Sequence, residues 1–289
     1  MEHNAVMRPL TQLTAKGITI SRAACSPQGD LDPSDIERLI TPRTKLVLTT
    51  QTSNGCGTAT PIREIAKVCR AHGVRFAIDA AQSAGVLPID ARAWGIDAVC
   101  FTGHKGLLGP QGIGGIMFTG DFSKEVSTLV AGGTGSSSDL EFMPSFMPDK
   151  LEAGTPNLPG IVGLGAGIEW INNNGIDAIR EHELALAGRL MEGMAPLEEA
   201  GLVRIVGKKG LTGRTGVVSI QTPRHELAQV AHALDAEFGI QVRVGLHCAP
   251  SAHKTLGTFP TGTIRFSMGW SNTEIDIDSA LFALRRLLS

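Results

Sequence analysis

FTGHKGLLGPQGIGG, residues 101–115, starts as the end of an apolar run and turns at once into a glycine-rich loop bearing one lysine, Lys105. A loop lysine is ordinarily a solvated surface residue. The setting here points elsewhere. AVCFT (98–102) reads as a buried strand, and Lys105 follows it closely between Gly103 and Gly106. Glycine lets the backbone come close to a ligand. A lysine held in such a place loses hydration and becomes a usable amine nucleophile.

Upstream, VRFAID (74–79) is a second apolar run, ending in Asp79 and followed by AAQSAG (80–85). A carboxylate at the end of a buried strand is costly unless a helix cap or a cation satisfies it. Asp79 precedes Lys105 by 26 residues, so the two belong to the ends of consecutive parallel strands. KLVLTT (45–50) and IGGIMF (113–118) add further strands. Asp32-Pro33 before SDIERLI, and Thr60-Pro61 before IREIAKVCRAHG, each predict a capping side chain with proline at the first helical position. This alternation predicts an α/β fold, with a mainly parallel sheet covered on both faces and ligands at the carboxyl ends of its strands.

Downstream, residues 119–160 hold Gly132-Gly133, Gly135 with three serines, and Pro144, Pro148, Pro156 and Pro159, the composition of a long functional loop. A helical region follows over 160–200. A smaller α/β unit then has strands near 217–221, 240–244 and 263–268 and a final helix capped near Asn272-Thr273. The expected division is a large domain, 1–172, and a C-terminal domain, 173–289. Neither an internal repeat nor a low-complexity tract interrupts it.

The bulk numbers narrow the function. Hydrophobic residues make up 42% and charged residues 19%, ordinary for a globular chain. Lys and Arg total 26 against 28 Asp and Glu, a net charge of −2, which implies neither nucleic acid nor a membrane surface as partner. No apolar run reaches the ~18 residues of a membrane span. MEHNAVMRPL has no hydrophobic signal core. The five cysteines, Cys25, Cys56, Cys69, Cys100 and Cys248, are widely spaced without a CxxC pair, so neither a disulfide framework nor a zinc knot is expected. These features lead to the expectation of a cytoplasmic protein. Tyrosine is absent, so no phenol serves as acid or base.

An aspartate and a lysine at adjacent strand ends are what pyridoxal 5'-phosphate requires. The lysine amine condenses with its aldehyde, and the aspartate keeps its ring nitrogen protonated so that the ring accepts electrons.

The sequence also resembles a family: the class V aminotransferases of fold type I, in the cysteine desulfurase and selenocysteine lyase branch. The segments that carry the resemblance are EHNAVMRPL (2–10), TSNGCGT (52–58), IDAAQSAG (78–85), FTGHKGLLGPQG (101–112), LEAGTPN (151–157), VRVGLHCAP (242–250) and IRFSMGWSNTEIDID (264–278), in the family's order. The resemblance assigns Lys105 to the cofactor aldehyde, Asp79 to the ring nitrogen and Gln82 to the ring hydroxyl. It places His3 on the pyridine face, with proton transfer as a further role, and Thr102 and His104 on the phosphate. Asn54 matches a residue near the ring hydroxyl and the substrate carboxylate. Thr155 matches a threonine that reaches the neighbouring subunit's phosphate, which implies a homodimer with shared sites. Arg265 matches the clamp on the substrate α-carboxylate, a role suited to its planar fork. Cys248, in GLHCAPSAH (245–253), matches the nucleophile that takes sulfur from the substrate. Cys69 and Cys100 read as structural. His247, Cys248 and His253 lack a fourth ligand, so no metal site is expected.

The family pattern also has, before EHN, a region with a Gly-Thr-rich phosphate-binding loop that this sequence does not contain. Gln51 stands where relatives often have histidine. The resemblance implies conversion of L-cysteine to L-alanine, with sulfur passing to Cys248 as a persulfide and on to an acceptor protein. L-selenocysteine is an alternative substrate, and transamination or another lyase reaction is a second reading. A non-catalytic chain that only dimerises is a third.

Overall fold

The computed structural model describes all residues from Met1 to Ser289. Helix α1 (Asn4–Thr14) is capped by His3, whose Nδ1 accepts the Ala5 N–H at 3.0 Å. Helix α2 (Pro33–Leu39) starts as its sequence predicts, with Asp32 accepting the Ser34 N–H and proline in the first turn. Helix α3 (Ile62–Ala71) differs: Pro61 is the cap residue and supplies no side-chain cap. Thr60 is instead held to the sheet side by its N–H, which donates to the Gln51 carbonyl at 2.9 Å.

Strands β1 (Leu46–Thr50), β2 (Arg75–Asp79) and β3 (Ala98–Thr102) run parallel. Strand β4 (Gly114–Phe118) returns antiparallel to β3 because no crossover helix lies between them. A short helix, α4 (Ala91–Trp94), separates β2 from β3, and Gly95 ends it in the left-handed region. Phe76, Ile78 and Val99 point to one face and pack with Ile36, Ile65, Ala66 and Cys69 of α2 and α3.

The expected cover on both faces is only partial: Ala77 and Ala98 are buried on the second face, but its margins are not. On the opposite face Leu46 is 44% and Ile116 53% exposed. The sheet order β1-β2-β3 explains this. Right-handed crossovers that always step the same way place their helices on one side, and only a reversal of direction would cover the other.

After α5 (Phe122–Glu125) the chain runs without regular elements to α6 (Leu158–Asn174). Gly175, at φ 86, breaks this helix from α7 (Ile176–Glu199). A second sheet follows, made of β5 (Arg204–Val206), β6 (Val217–Gln221), β7 (Arg243–Gly245) and β8 (Thr263–Ser267), with helices α8 (Leu227–Phe238), α9 (Pro250–Thr255) and α10 (Glu274–Leu288). Its order is β5-β6-β8-β7 and all its pairs are antiparallel. β5 was not anticipated, being too short to show a period, and β7 is shorter and later than the 240–244 run predicts. Thr273 and Asp276 form a capping box at the start of α10, as expected. Leu190, Met194, Ile220 and Leu284 are fully buried between α7, α10 and this sheet, and each contributes roughly 1.5–3 kcal/mol of hydrophobic stabilisation.

One polar group lies beside this core. Glu183 of α7 is 8% exposed and packs against Gly216. Burial, with no compensating interaction, pushes its pKa from 4.5 up to about 7. The fold therefore favours the protonated carboxyl. The stability this gives is complete below pH 4.5 and is lost as pH rises through about 7. Between those limits the wild type should lose up to about 3 kcal/mol that Glu183→Gln retains. Urea unfolding at pH 5 and pH 8 checks this, and the same pH dependence in both proteins would refute it.

Candidate active site

The carboxyl ends of β2 and β3 lie side by side, with Asp79 paired in register to Cys100. Asp79 Oδ1 accepts the Ala81 N–H at 2.9 Å, which shapes the loop after β2. That loop touches the loop after β3 backbone to backbone. Gly85, at φ 85, has no room for a side chain, since a Cβ would collide with the Gly106 carbonyl. This contact seats Lys105 on the Asp79 side of the sheet.

Lys105 remains accessible to solvent. Burial of its amine nonetheless lowers its pKa below the ordinary lysine range; Asp79 opposes this shift and Arg265 adds to it. Groups from β2, the β3 loop and β8 thus share one electrostatic field. His3 belongs to the same group. Its pKa is lowered by burial and then by Lys105, while Asp79 pulls the other way. Because Nδ1 accepts the Ala5 N–H, the neutral ring carries its hydrogen on Nε2. Gln82 is half-buried on the loop that follows Asp79. Thr102 Oγ1 and His104 Nδ1 are 2.9 Å apart at the end of β3. Thr155 is exposed, on the irregular stretch before α6.

The C-terminal sheet brings in the remaining groups. Arg265 Nη1 donates to the Asn54 carbonyl at 3.0 Å, and its Nε is buried without a partner. Burial lowers its pKa, with Arg243 adding to the fall and Cys248 opposing it. Arg243 stands directly opposite Arg265 across the β7–β8 pair. Like charges in that position repel unless an anion lies near them. Asn54 Nδ2 donates to the His247 carbonyl at 2.6 Å.

Cys248 is the one exposed cysteine; Cys25 and Cys100 are half-buried, and Cys56 and Cys69 are buried. Burial pushes the Cys69 thiol up to about 11, which fits its expected structural place. His247 and Cys248 lie in the left-handed region, at φ 48 and 56, a conformation that costs roughly 1–2 kcal/mol per residue. The His247 ring is buried and lies 2.9 Å from Thr263 Oγ1 through Nε2. Burial first, then Arg265, His253 and Arg243, push its pKa down to about 3, so it stays neutral.

Two further contributors were missed in the sequence. Glu2 closes the end of β1: its Oε1 accepts the Thr50 N–H at 2.9 Å, and its Oε2 is buried without a partner. Burial raises its pKa, the Thr50 hydrogen bond opposes that rise, and the nearby Asp79 charge adds to it. Nothing in the pattern EHN marks a carboxylate that finishes a strand some fifty residues on. Gln51, noted only as a departure from the family, is buried with its Oε1 accepting from Ser83 Oγ at 2.8 Å. It braces the loop that carries Gln82.

These residues fit pyridoxal 5'-phosphate. The Asp79 carboxylate is held by a single N–H bond and has capacity for a ring N–H. The Lys105 amine is accessible, and the buried Arg265 Nε lacks the acceptor that a substrate carboxylate would supply. The sheet and the paired strand ends define an α/β, fold type I transferase-like enzyme.

The chain belongs to the class-V aminotransferase family, whose model matches residues 1–280. It is 34% identical over 281 residues to a probable cysteine desulfurase of Methanothermobacter thermautotrophicus, covering 96% of this chain and 69% of that protein. It is likewise 34% identical to a probable cysteine desulfurase of Pyrococcus abyssi, covering 99% of this chain and 70% of the relative. Among solved structures, the apo cysteine desulfurase of Thermococcus onnurineus NA1 superposes with a TM-score of 0.91 at 34% identity, over 99% of this chain and 70% of its own. A cysteine desulfurase of Escherichia coli in its S-sulfonic acid form gives 0.88 at 28% identity, over 100% of this chain and 71% of its own. The family is one of pyridoxal-phosphate enzymes. No helix is long and apolar enough to cross a membrane.

Proposed function

We propose that this protein is a pyridoxal-phosphate-dependent cysteine desulfurase that converts L-cysteine to L-alanine and holds the sulfur as a persulfide on Cys248. The observation that carries the reading is the exposed thiol of Cys248, two bonded neighbours away from the Arg265 clamp through His247 and Asn54. Bound pyridoxal phosphate supplies an electron sink for the substrate carbon skeleton.

The chain's own residues do the rest. Asp79 would hold a proton on the ring nitrogen, and Gln82 would hold the ring hydroxyl. Thr102 and His104 would bind phosphate oxygens, and His3 would lie against the ring. Arg265 fixes the α-carboxylate, with Asn54 beside it. Lys105, its amine eased toward neutrality by burial, would hold the aldehyde end of the cofactor and is placed to move the substrate proton. Sγ of Cys248 then bonds to the substrate sulfur as the C–S bond breaks. The electron pair stays with the carbon fragment, which takes a proton and leaves as L-alanine.

The large domain in this reading is 1–172 and the small one 173–289. A core of Ile36 to Val99 in the first, and one of Leu186 to Leu288 in the second, support that division. The working form is a homodimer to which Thr155 contributes across the interface. Exposed Leu158 (64%) and Val162 (65%) on α6, with Leu129 (94%) and Phe142 (84%) on the preceding stretch, are apolar side chains that a second copy would cover. An acceptor protein takes the sulfur from Cys248, and the cytoplasm, where thiols stay reduced, is the matching compartment. L-selenocysteine offers the same recognition groups and is an alternative substrate.

The test is product analysis. The holoenzyme with L-cysteine and a thiol reductant should release L-alanine and sulfide in equal amounts. A keto acid in place of alanine would establish transamination instead, and saturable cofactor binding without turnover of any amino acid would establish a non-catalytic chain.

A further inference from the structure

Asn54 is tied at both ends. Its side-chain amide donates to the His247 carbonyl at 2.6 Å, and its own carbonyl accepts from Arg265 Nη1 at 3.0 Å. His247 and Cys248 occupy the left-handed region, which non-glycine residues leave when nothing holds them there. Two other anchors act on the same turn. The Asn4 N–H donates to the Cys248 carbonyl at 2.8 Å, and Thr263 Oγ1 meets His247 Nε2 at 2.9 Å. Asn54 is 7% exposed, so water does not readily replace its amide.

We infer that Asn54 is a positioning residue for sulfur transfer: its amide holds the His247–Cys248 turn in the conformation that presents Sγ, while its carbonyl keeps Arg265 in register with that thiol. This rests on the desulfurase reading and assigns Asn54 a task beyond contact with cofactor or substrate. The two tasks are separable. A change of side chain breaks the hold on the turn and leaves the backbone carbonyl, and with it the Arg265 contact, in place. Sulfur transfer should therefore suffer more from a change of side chain than the steps that need no thiol.

The experiment uses holoenzyme carrying Asn54→Asp, which keeps the shape but turns an oxygen toward the His247 carbonyl, and Asn54→Ala, which removes the amide. With L-cysteine, kcat should fall about 30-fold or more. β-Chloroalanine is the control, because its chloride leaves without a thiol, and its kcat should fall at least about tenfold less than that with L-cysteine. Backbone hydrogen exchange over residues 245–250 should quicken by about tenfold or more. Thr263→Val, which removes a different anchor of the same turn, should reproduce the split and the faster exchange.

An equal fall of kcat with both substrates, or a raised KM at unchanged kcat, would place the role of Asn54 at the cofactor or carboxylate alone and overturn the inference. A wild-type enzyme that makes no alanine from L-cysteine would defeat the desulfurase reading instead. The exchange measurement would still judge the anchor: unchanged exchange in Asn54→Asp and Thr263→Val would overturn it.

Discussion

Lys105→Ala lowers turnover of L-cysteine by about 10³-fold or more without unfolding the chain. The side chain is solvent-accessible, so its removal opens no cavity in either core. What disappears is the amine itself. Burial eases that amine toward its neutral, nucleophilic form, Arg265 assists, and Asp79 keeps the shift moderate. Lys105→Arg should not restore activity. A guanidinium retains the charge but stays protonated and neither condenses with an aldehyde nor carries a proton back and forth. The covalent role has its own readout. Borohydride treatment followed by denaturation should leave the cofactor attached to the wild-type chain and free in Lys105→Ala. Attachment that persists in the variant would move the role to another lysine.

Cys248→Ala should cut sulfur release from L-cysteine on the order of 10³-fold while cofactor binding is unchanged. The thiol is exposed, in a turn joined to Arg265 through His247 and Asn54. Alanine keeps the same left-handed backbone at similar cost, so the turn should remain. Serine should fail as well, because a hydroxyl cannot hold the transferred sulfur as a persulfide. Mass spectrometry after one turnover should find the wild-type chain heavier by one sulfur at Cys248 and the variants unchanged. Sulfide production by Cys248→Ala at the wild-type rate would reject the nucleophile.

Much of the large-domain frame was legible in the residues. The runs at 45–50, 74–79, 98–102 and 113–118 each became a strand, because short apolar runs between turn signals have few other ways to bury themselves. Asp32 and Thr273 capped their helices as read. Thr60 did not, since a backbone bond to Gln51 claimed the chain there. A cap is a local preference, and one long-range hydrogen bond suffices to override it. β5 was too short to carry a pattern, and the partial exposure of the sheet's second face follows from strand order, which no local pattern encodes.

The candidate site divides along the same line. By itself the sequence determined that Asp79 and Lys105 end consecutive strands, because alternation and crossover length are properties of neighbouring residues. It also determined the family, because seven motifs occur in one order. Only the tertiary structure decided that Glu2 closes β1, that Arg243 faces Arg265, and that Asn4, Asn54 and Thr263 converge on a strained turn at Cys248. Those contacts join residues up to 244 positions apart, between Asn4 and Cys248. Their energies come from hydrogen bonds and charges that act over a few ångströms of space, whatever the distance along the chain.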